Sequence, residues 1–433
     1  MIRLQPFIYK ECSFRFDALK GLMEKLKNKR LAILSLGLLS ALGPFSIDMY
    51  LPGFNDMAHS LKTTVPEIGL SLSSFFVGIS IGQLIYGPLL DRYGRKKPLY
   101  IGLVIYFFTT LACTMVKNVD QLIVLRFFEA LGSCAGMVAA RALVRDLFPV
   151  NKIAKVFSYL MLVIALSPVL APTFGGYIST WFGWPSIFMT LAGIGLLTLI
   201  VSWLWLPDGN RPDDEKSLRP LPIIRSYLEV AGVPQFYIFA SISAISFSGL
   251  YAYISGSADL FLNVYHVSQK EYGLIFAIIS LGMTFTGQLN TLFLNKFTSE
   301  QISFTALIIQ AFLATVLLVL ITWNVIGLYS MITMICVYLA ALGFVFPNTS
   351  ALCLTAFSRN AGTASALMGS VQLGIGAIVA GIVNMIPNHN GRPMAMIMLI
   401  CTLFSLAIFI YSKKTNLLKS GEKTFFRCLK KNL

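Results

Sequence analysis

Thr64-Val65-Pro66-Glu67-Ile68-Gly69-Leu70 opens a run without a charge from Ile68 to Leu90, and the run closes on Asp91-Arg92-Tyr93-Gly94-Arg95-Lys96-Lys97. A hydroxyl three residues ahead of a glutamate forms a capping box, which satisfies the first free amides of a helix. The stretch 67–90 behind it exceeds the ~20 mostly apolar residues that cross a bilayer. The opening recurs as Ser268-Gln269-Lys270-Glu271-Tyr272-Gly273-Leu274, at an offset of 204. At that same offset Gly78 meets Gly282, Asp91 meets Asn295 and Arg92 meets Lys296. Further upstream, Ser46-Ile47-Asp48-Met49-Tyr50-Leu51 matches Ser257-Ala258-Asp259-Leu260-Phe261-Leu262 at an offset of 211. An offset held from residue 64 to residue 92 reads as an internal duplication.

The composition points the same way. Of 433 residues only 12% are charged, about half the ~25% of an ordinary soluble domain. Hydrophobic residues are 56% and the mean hydropathy is +0.74. So few charges do not cover the surface of a soluble chain this long, which excludes a cytoplasmic enzyme, a nucleic-acid binder and a secreted disulfide scaffold. The seven cysteines lie in apolar runs (Cys113, Cys134, Cys336, Cys353, Cys401) or basic tails (Cys12, Cys428), without metal-type spacing. His59, His266 and His389 fall in short polar loops, so no metal site is expected.

Reading for membrane-length stretches gives twelve spans: 31–53, 67–90, 98–116, 121–146, 154–179, 185–206, 235–262, 271–294, 301–321, 325–356, 363–386 and 392–412. Spans 9 and 10 part at Trp323-Asn324. Alternate loops on one face hold only Lys62, Lys117, Lys270 and Arg392, and Arg126 lies inside a span. The remaining 29 of the 34 Lys and Arg sit in the tails, the other loops or the helix ends beside them. By the positive-inside rule both termini are cytoplasmic. The net charge of +15 is then topology and contact with anionic lipid, with no call for nucleic acid.

The chain divides into a basic cytoplasmic N-terminal segment (1–30), a six-helix bundle (31–206), a Pro-, Asp- and Arg-rich cytoplasmic linker (207–233), a second six-helix bundle (234–412) and a basic cytoplasmic tail (413–433). The first 30 residues hold eight Lys/Arg and show no signal peptide; Met23 would also serve as a start. Two halves with an even number of spans share one orientation. Such parallel repeats build secondary transporters whose substrate site lies between the halves.

Asp48 and Arg126 are ionisable groups inside apolar spans, each costing at least ~2.5–3.5 kcal/mol at mid-membrane, so they are read as functional. Asp48 lies 17 residues into span 1, about 25 Å along a helix, in the outer half. An arginine that approaches an acid in one conformation and leaves it in another makes proton affinity depend on conformation. The competing reading is a fixed structural pair or a solvated helix end; Asp259 suits the latter. Pro168 and Pro172 remove donors inside span 5, while Gly175 and Gly176 permit close packing, although both residue types are common in membrane helices. In loop 2–3, Gly87 allows close helix approach, Gly94 a tight turn, and Asp91 can accept from Arg95 or a helix N-terminus. Arg92 and Arg95, with Lys96 and Lys97, also simply anchor that face. Phe247, Tyr251, Tyr253, Phe344 and Phe346 are candidate pocket aromatics, with lipid-facing or core roles as the alternative; Tyr50, Tyr251 and Phe344 are taken as the substrate-contacting set.

Gly87-Pro88-Leu89-Leu90-Asp91-Arg92-Tyr93-Gly94-Arg95-Lys96-Lys97 resembles the loop 2–3 signature of the major facilitator superfamily. Pro172-Thr173-Phe174-Gly175-Gly176 is similar to the end of its antiporter motif, with Ser167-Pro168 replacing the upstream glycine–proline portion. Ile47-Asp48-Met49-Tyr50-Leu51-Pro52, Arg141-Ala142-Leu143-Val144-Arg145-Asp146 and Ala361-Gly362-Thr363-Ala364-Ser365-Ala366-Leu367 resemble the Bcr/CflA drug-resistance branch of bicyclomycin and chloramphenicol exporters. The likeness runs from about residue 31 to 412. It implies an all-α membrane protein of twelve transmembrane helices in two pseudo-symmetric six-helix bundles. It implies a conformational latch at Gly87, Asp91, Arg92, Gly94 and Arg95. Arg126-Phe127-Phe128-Glu129-Ala130-Leu131-Gly132 resembles the family's span 4 pattern, with Glu129 where relatives commonly have Gln. Ser40 stands where some related exporters carry an acid, so Glu129 is the candidate second proton-coupling acid beside Asp48 and Arg126.

The expectation is therefore a multi-pass inner-membrane transporter, not an enzyme, that exports amphipathic drugs in exchange for protons and works as a monomer among lipids. It needs no cofactor or metal, only a proton gradient. No G-x-x-x-x-G-K-[ST] loop is present for nucleotide hydrolysis. One proton across 100 mV supplies ~2.3 kcal/mol, enough for roughly a 50-fold substrate gradient when one net charge moves. The alternatives are the same fold carrying a metabolite such as an amino-acid derivative, and a transporter-like membrane sensor or scaffold.

Overall fold

The computed structural model describes residues 31–209, 220–357, 361–386 and 390–414. These residues are helical throughout, without a strand. In chain order the spans are Leu31–Ser60, Val65–Arg92, Lys96–Cys113, Val119–Leu147, Val150–Phe182 and Pro185–Trp205, then Pro234–Val264, Gln269–Phe293, Ser299–Thr322, Leu328–Leu354, Ala361–Met385 and Arg392–Lys414. Eleven of the twelve are long and apolar enough to cross a membrane; the third is 18 residues long and begins on Lys96 and Lys97. A lipid solvent leaves no water for backbone groups, so each crossing must satisfy its own amides by winding as a helix. Thr64 accepts from the Glu67 amide at the head of span 2, and Ser268 with Glu271 forms a full capping box at the head of span 8. Spans 9 and 10 part at Asn324, which sits at φ +54°.

Spans 1–6 and 7–12 form two bundles packed in the same pattern. Span 2 lies on span 4 at Gly78, and span 8 lies on span 10 at Gly282. Cross-links repeat as well: Ser74 donates to the Ile123 carbonyl at 2.8 Å, and Thr286 to the Ala340 carbonyl at 2.7 Å.

Span 1 is not the straight helix expected over 31–53. Its α-helical winding stops at Asp48, passes through a turn and the 3₁₀ segment Leu51–Gly53, and resumes as Phe54–Ser60. Pro52 is the cause: it has no N–H for the Asp48 carbonyl four residues earlier, and its ring clashes there. His59 lies in the resumed helix rather than in a loop. The repeat holds here too, for span 7 leaves α-geometry at Asp259, where a π-helical segment Asp259–Val264 begins.

The linker also differs from its expected form. Residues 210–219 lie outside the described set, but Pro220–Ala231 is a helix. Leu221, Ile224 and Leu228 line its exposed side at 3–4-residue spacing. Tyr227 on the other side donates to the Leu84 carbonyl of span 2 at 3.1 Å. That carbonyl is free because its normal partner, residue 88, is proline.

Candidate functional site

Span 4 brings Arg126 and Glu129 to one face at i, i+3 spacing. Both are fully buried, and Arg126 Nη1 meets Glu129 Oε2 at 2.9 Å. Arg126 Nη2 donates to the Ser46 carbonyl at 2.7 Å. Its guanidinium lies over the rings of Tyr50 and Phe75, at 4.2 and 4.1 Å from their centroids. An ion pair taken out of water needs such extra partners to offset its desolvation. Arg126 therefore grips span 1 at Ser46 and at Tyr50, two residues to either side of Asp48, without touching Asp48 itself.

Asp48 is 4% exposed and makes no hydrogen bond or ion pair among the described residues. The phenols of Tyr251, Tyr253 and Tyr272, all from the second lobe, lie within electrostatic range of it. Among the described residues the Tyr253 hydroxyl is buried without a partner, whereas Tyr272 bonds Ser257 at 2.8 Å. Asp48 thus sits at a seam between the lobes, where the helix has just broken.

The glycines of span 5 close that seam. A Cβ on Gly175 would overlap the Met49 carbonyl, next to Asp48, and one on Gly176 would come within 2.6 Å of the Gln269 carbonyl. Span 8 answers with Gly273, whose Cβ would stand 2.7 Å from the Pro172 carbonyl. Small residues let the two backbones meet directly. Pro168 and Pro172 both lie inside the continuous helix Val150–Phe182. Outside this contact, Gln269 donates to Asp56 at 2.8 Å, and Lys270 lies over Tyr177 and Trp181. All these closures are at the end carrying Lys62, Lys117, Lys270 and Arg392.

The opposite, basic end carries the loop 2–3 motif. Gly94 takes φ +79°, the left-handed turn that suits glycine. Arg95 donates to Asp91 at 2.6 Å and to Asp146, at the end of span 4, at 2.8 Å. Burial works against the Arg95 charge, but the two carboxylates outweigh it and hold its pKa above the ordinary arginine range. Arg92 closes span 2, half-buried beside them. Among the described residues no close helix approach is made at Gly87 in this conformation: a Cβ there would meet only the Tyr227 hydroxyl, at 3.9 Å.

The aromatic set expected to contact substrate does not come together. Tyr50 is fully buried under Arg126, and its hydroxyl bonds Ser71 at 3.2 Å. Tyr251 packs between Phe76 and Phe247, at 4.6 and 5.5 Å between centroids. Phe344 instead faces Phe293 at 5.4 Å, and Phe346 takes the place beside Phe247 at 4.7 Å. Sequence reasoning missed Ser46, Phe75, Asp56, Gln269, Asp146 and Tyr227. Asp146, Ser46 and Gln269 lay in quoted motifs, but of these only Asp146 carried a charge that marks it as a partner for Arg95.

Comparison with known proteins fits this architecture. The Major Facilitator Superfamily model matches residues 36–381. The bicyclomycin resistance protein homolog of Haemophilus influenzae is 32% identical over 92% of this chain and 100% of its own length. The chloramphenicol resistance protein of Pseudomonas aeruginosa is 26% identical over 90% of this chain and 92% of its own. Among solved structures, a bacterial homolog of the human lysosomal transporter Spinster, in an inward-facing and occupied conformation, superposes with a TM-score of 0.71. It is 16% identical and covers 89% of this chain and 97% of that one, a likeness of fold alone. The twelve-helix body, the loop 2–3 motif and these relatives together make the chain a member of the major facilitator superfamily, a multi-span membrane transporter of small molecules rather than an enzyme, in the branch of the bicyclomycin and chloramphenicol resistance proteins.

Proposed function

We propose that this transporter exports amphipathic drug-like molecules from the cytoplasm in exchange for protons, with Asp48 carrying the proton. In this reading the basic end is cytoplasmic, which the distribution of Lys and Arg supports, the membrane is the inner one, and the conformation described is closed toward the outside. The observation that carries the reading is the division of partners: Asp48 is buried and unpaired while Arg126 is committed to Glu129. With no cation to balance a charge on Asp48, this geometry suits the proton-bearing carboxyl. When the seam at Gly175 and Gly273 parts, Asp48 faces the outside. There it takes up its proton; once the seam has closed again and Arg126 leaves Glu129 for Asp48, the proton is released to the cytoplasm. Two acids competing for one guanidinium thereby tie protonation to conformation.

The Asp91–Arg95–Asp146 triad serves as the latch that stiffens the basic end of the first lobe in this state. The names of the relatives support drugs over metabolites as cargo. The test is drug accumulation in cells expressing the protein, with chloramphenicol and a cationic dye as cargo. Wild type lowers accumulation, a proton uncoupler abolishes the effect, and Asp48→Asn fails to produce it. Lowered accumulation that persists with the uncoupler would overturn proton exchange.

A further inference from the structure

The basic end of the cleft between the lobes holds a cavity of about 560 Å³ in which neither Asp48 nor Arg126 takes part. Spans 2 and 4 wall it on one side, the first turns of span 11 on the other, and the linker helix along a third. Its acids, Asp91 and Asp146, are both engaged by Arg95. Arg141 and Arg145, one turn apart on span 4, line the same space, and neither forms an ion pair or hydrogen bond among the described residues. Arg145 Nη1 stands 3.8 Å from where a Cβ of Gly362 would lie, so its guanidinium abuts the first turn of span 11. That turn carries the positive end of the helix dipole. Cations of one lobe thus face a positive pole of the other.

Deeper in, Gln83 is 4% exposed, lines the cavity and makes no hydrogen bond among the described residues; its fully buried oxygen Oε1 lies against Gly369, and its Nε2 is the atom that can donate to a ligand. A polar side chain buried without a partner marks a place where a ligand atom belongs. Thr363 and Ser365 add hydroxyls from span 11. Two guanidinium groups, a carboxamide N–H₂ and two hydroxyls beside a helix N-terminus form a donor-rich set suited to oxygen anions. Leu90, Val138 and Ile223 supply apolar wall beside them.

The geometry points to a binding site for an oxyanion headgroup, phosphate or carboxylate, on an amphipathic molecule. The headgroup bridges Arg141 and Arg145 of the first lobe to Gln83 and the start of span 11. By lying between like charges it favours the approach of spans 4 and 11 at this end. An anionic phospholipid and a soluble amphipathic acid offer the same chemistry. The site is independent of proton exchange and stands whether or not that reading holds.

The test is equilibrium binding of radiolabelled decyl phosphate to the purified full chain in a neutral maltoside detergent. Wild type binds saturably. Arg141→Gln and Arg145→Gln each weaken binding at least tenfold, as loss of a charge-assisted contact requires. Arg141→Lys, which keeps the charge if the glutamine variant fails to fold, stays within about threefold of wild type. Lys152→Gln, at an exposed lysine of the same end, leaves binding unchanged. Displacement by phosphatidylglycerol at lower concentration than by a soluble aryl carboxylate assigns the site to lipid; the reverse order assigns it to soluble acids. Absence of binding, displacement by neither competitor, or equal weakening by Lys152→Gln and Arg141→Gln overturns the site.

Discussion

Replacing Glu129 by Gln removes one charge of a fully buried pair and keeps the shape. With ~4 Å between charge centres and an effective dielectric of ~20, the attraction lost is ~4 kcal/mol. The new carboxamide oxygen still accepts from Arg126 and returns ~1 kcal/mol. The net loss is about 3 kcal/mol, or roughly 3 °C in melting temperature, because a 433-residue chain at ~2.1 cal/mol/K per residue shifts by only about 1 °C per kcal/mol. Arg126→Met behaves differently. The carboxyl it leaves behind can take a proton, whereas an orphaned guanidinium cannot lose one. The double variant Arg126→Met/Glu129→Gln therefore melts above Glu129→Gln alone, since it removes the uncompensated cation. Thermal unfolding of the four proteins in one detergent reads the cycle directly. A double variant whose loss equals the sum of the two single losses would show that the two side chains act independently, and the reasoning about this pair would be wrong.

Other perturbations test other contacts. Gly273→Val places side-chain atoms against the Pro172 carbonyl, so it holds the Asp48 seam open, and an engineered cysteine at Tyr272 becomes reactive to an impermeant maleimide from that side. Tyr227→Phe costs about 1 kcal/mol by orphaning the Leu84 carbonyl, and in a Pro88→Ala background, where an N–H is restored to span 2, the same change is neutral in a melting assay. Because the folded pKa of Arg95 is raised, its stabilising contribution is complete below the unfolded value and is lost only as pH rises past the folded one. The Arg95 contribution, measured as the melting difference between wild type and Arg95→Gln, is therefore constant from pH 6 to pH 9.

Much of this architecture is legible in the sequence. Apolar length alone places the spans, because a lipid-embedded helix must be long and uncharged. The repeat at offsets 204 and 211 foretells two like bundles. The break at Asp48 was written in Pro52, four residues on, but a proline near a span end is easily read as a mere terminus. The linker helix escaped notice because twelve residues opening on Pro220 fall below span length. Arg126 was matched to Asp48 by function, although Glu129 stood three residues away on the same helix. Phe344 and Phe346 differ by about 200° around span 10, and a helix apolar on every side gives no phase to choose between them. The meeting of Gly175 and Gly273 depends on how two lobes dock, which neither half records separately.

The account stands on Asp48 as the proton carrier, and reconstituted vesicles test it most directly. Substrate counterflow, with equal pH on both sides, needs only alternating access; accumulation against a substrate gradient needs the proton. For Asp48→Asn the account predicts that counterflow continues at a rate near wild type while pH-driven accumulation disappears. An Asp48→Asn protein that accumulates substrate as wild type does would contradict it.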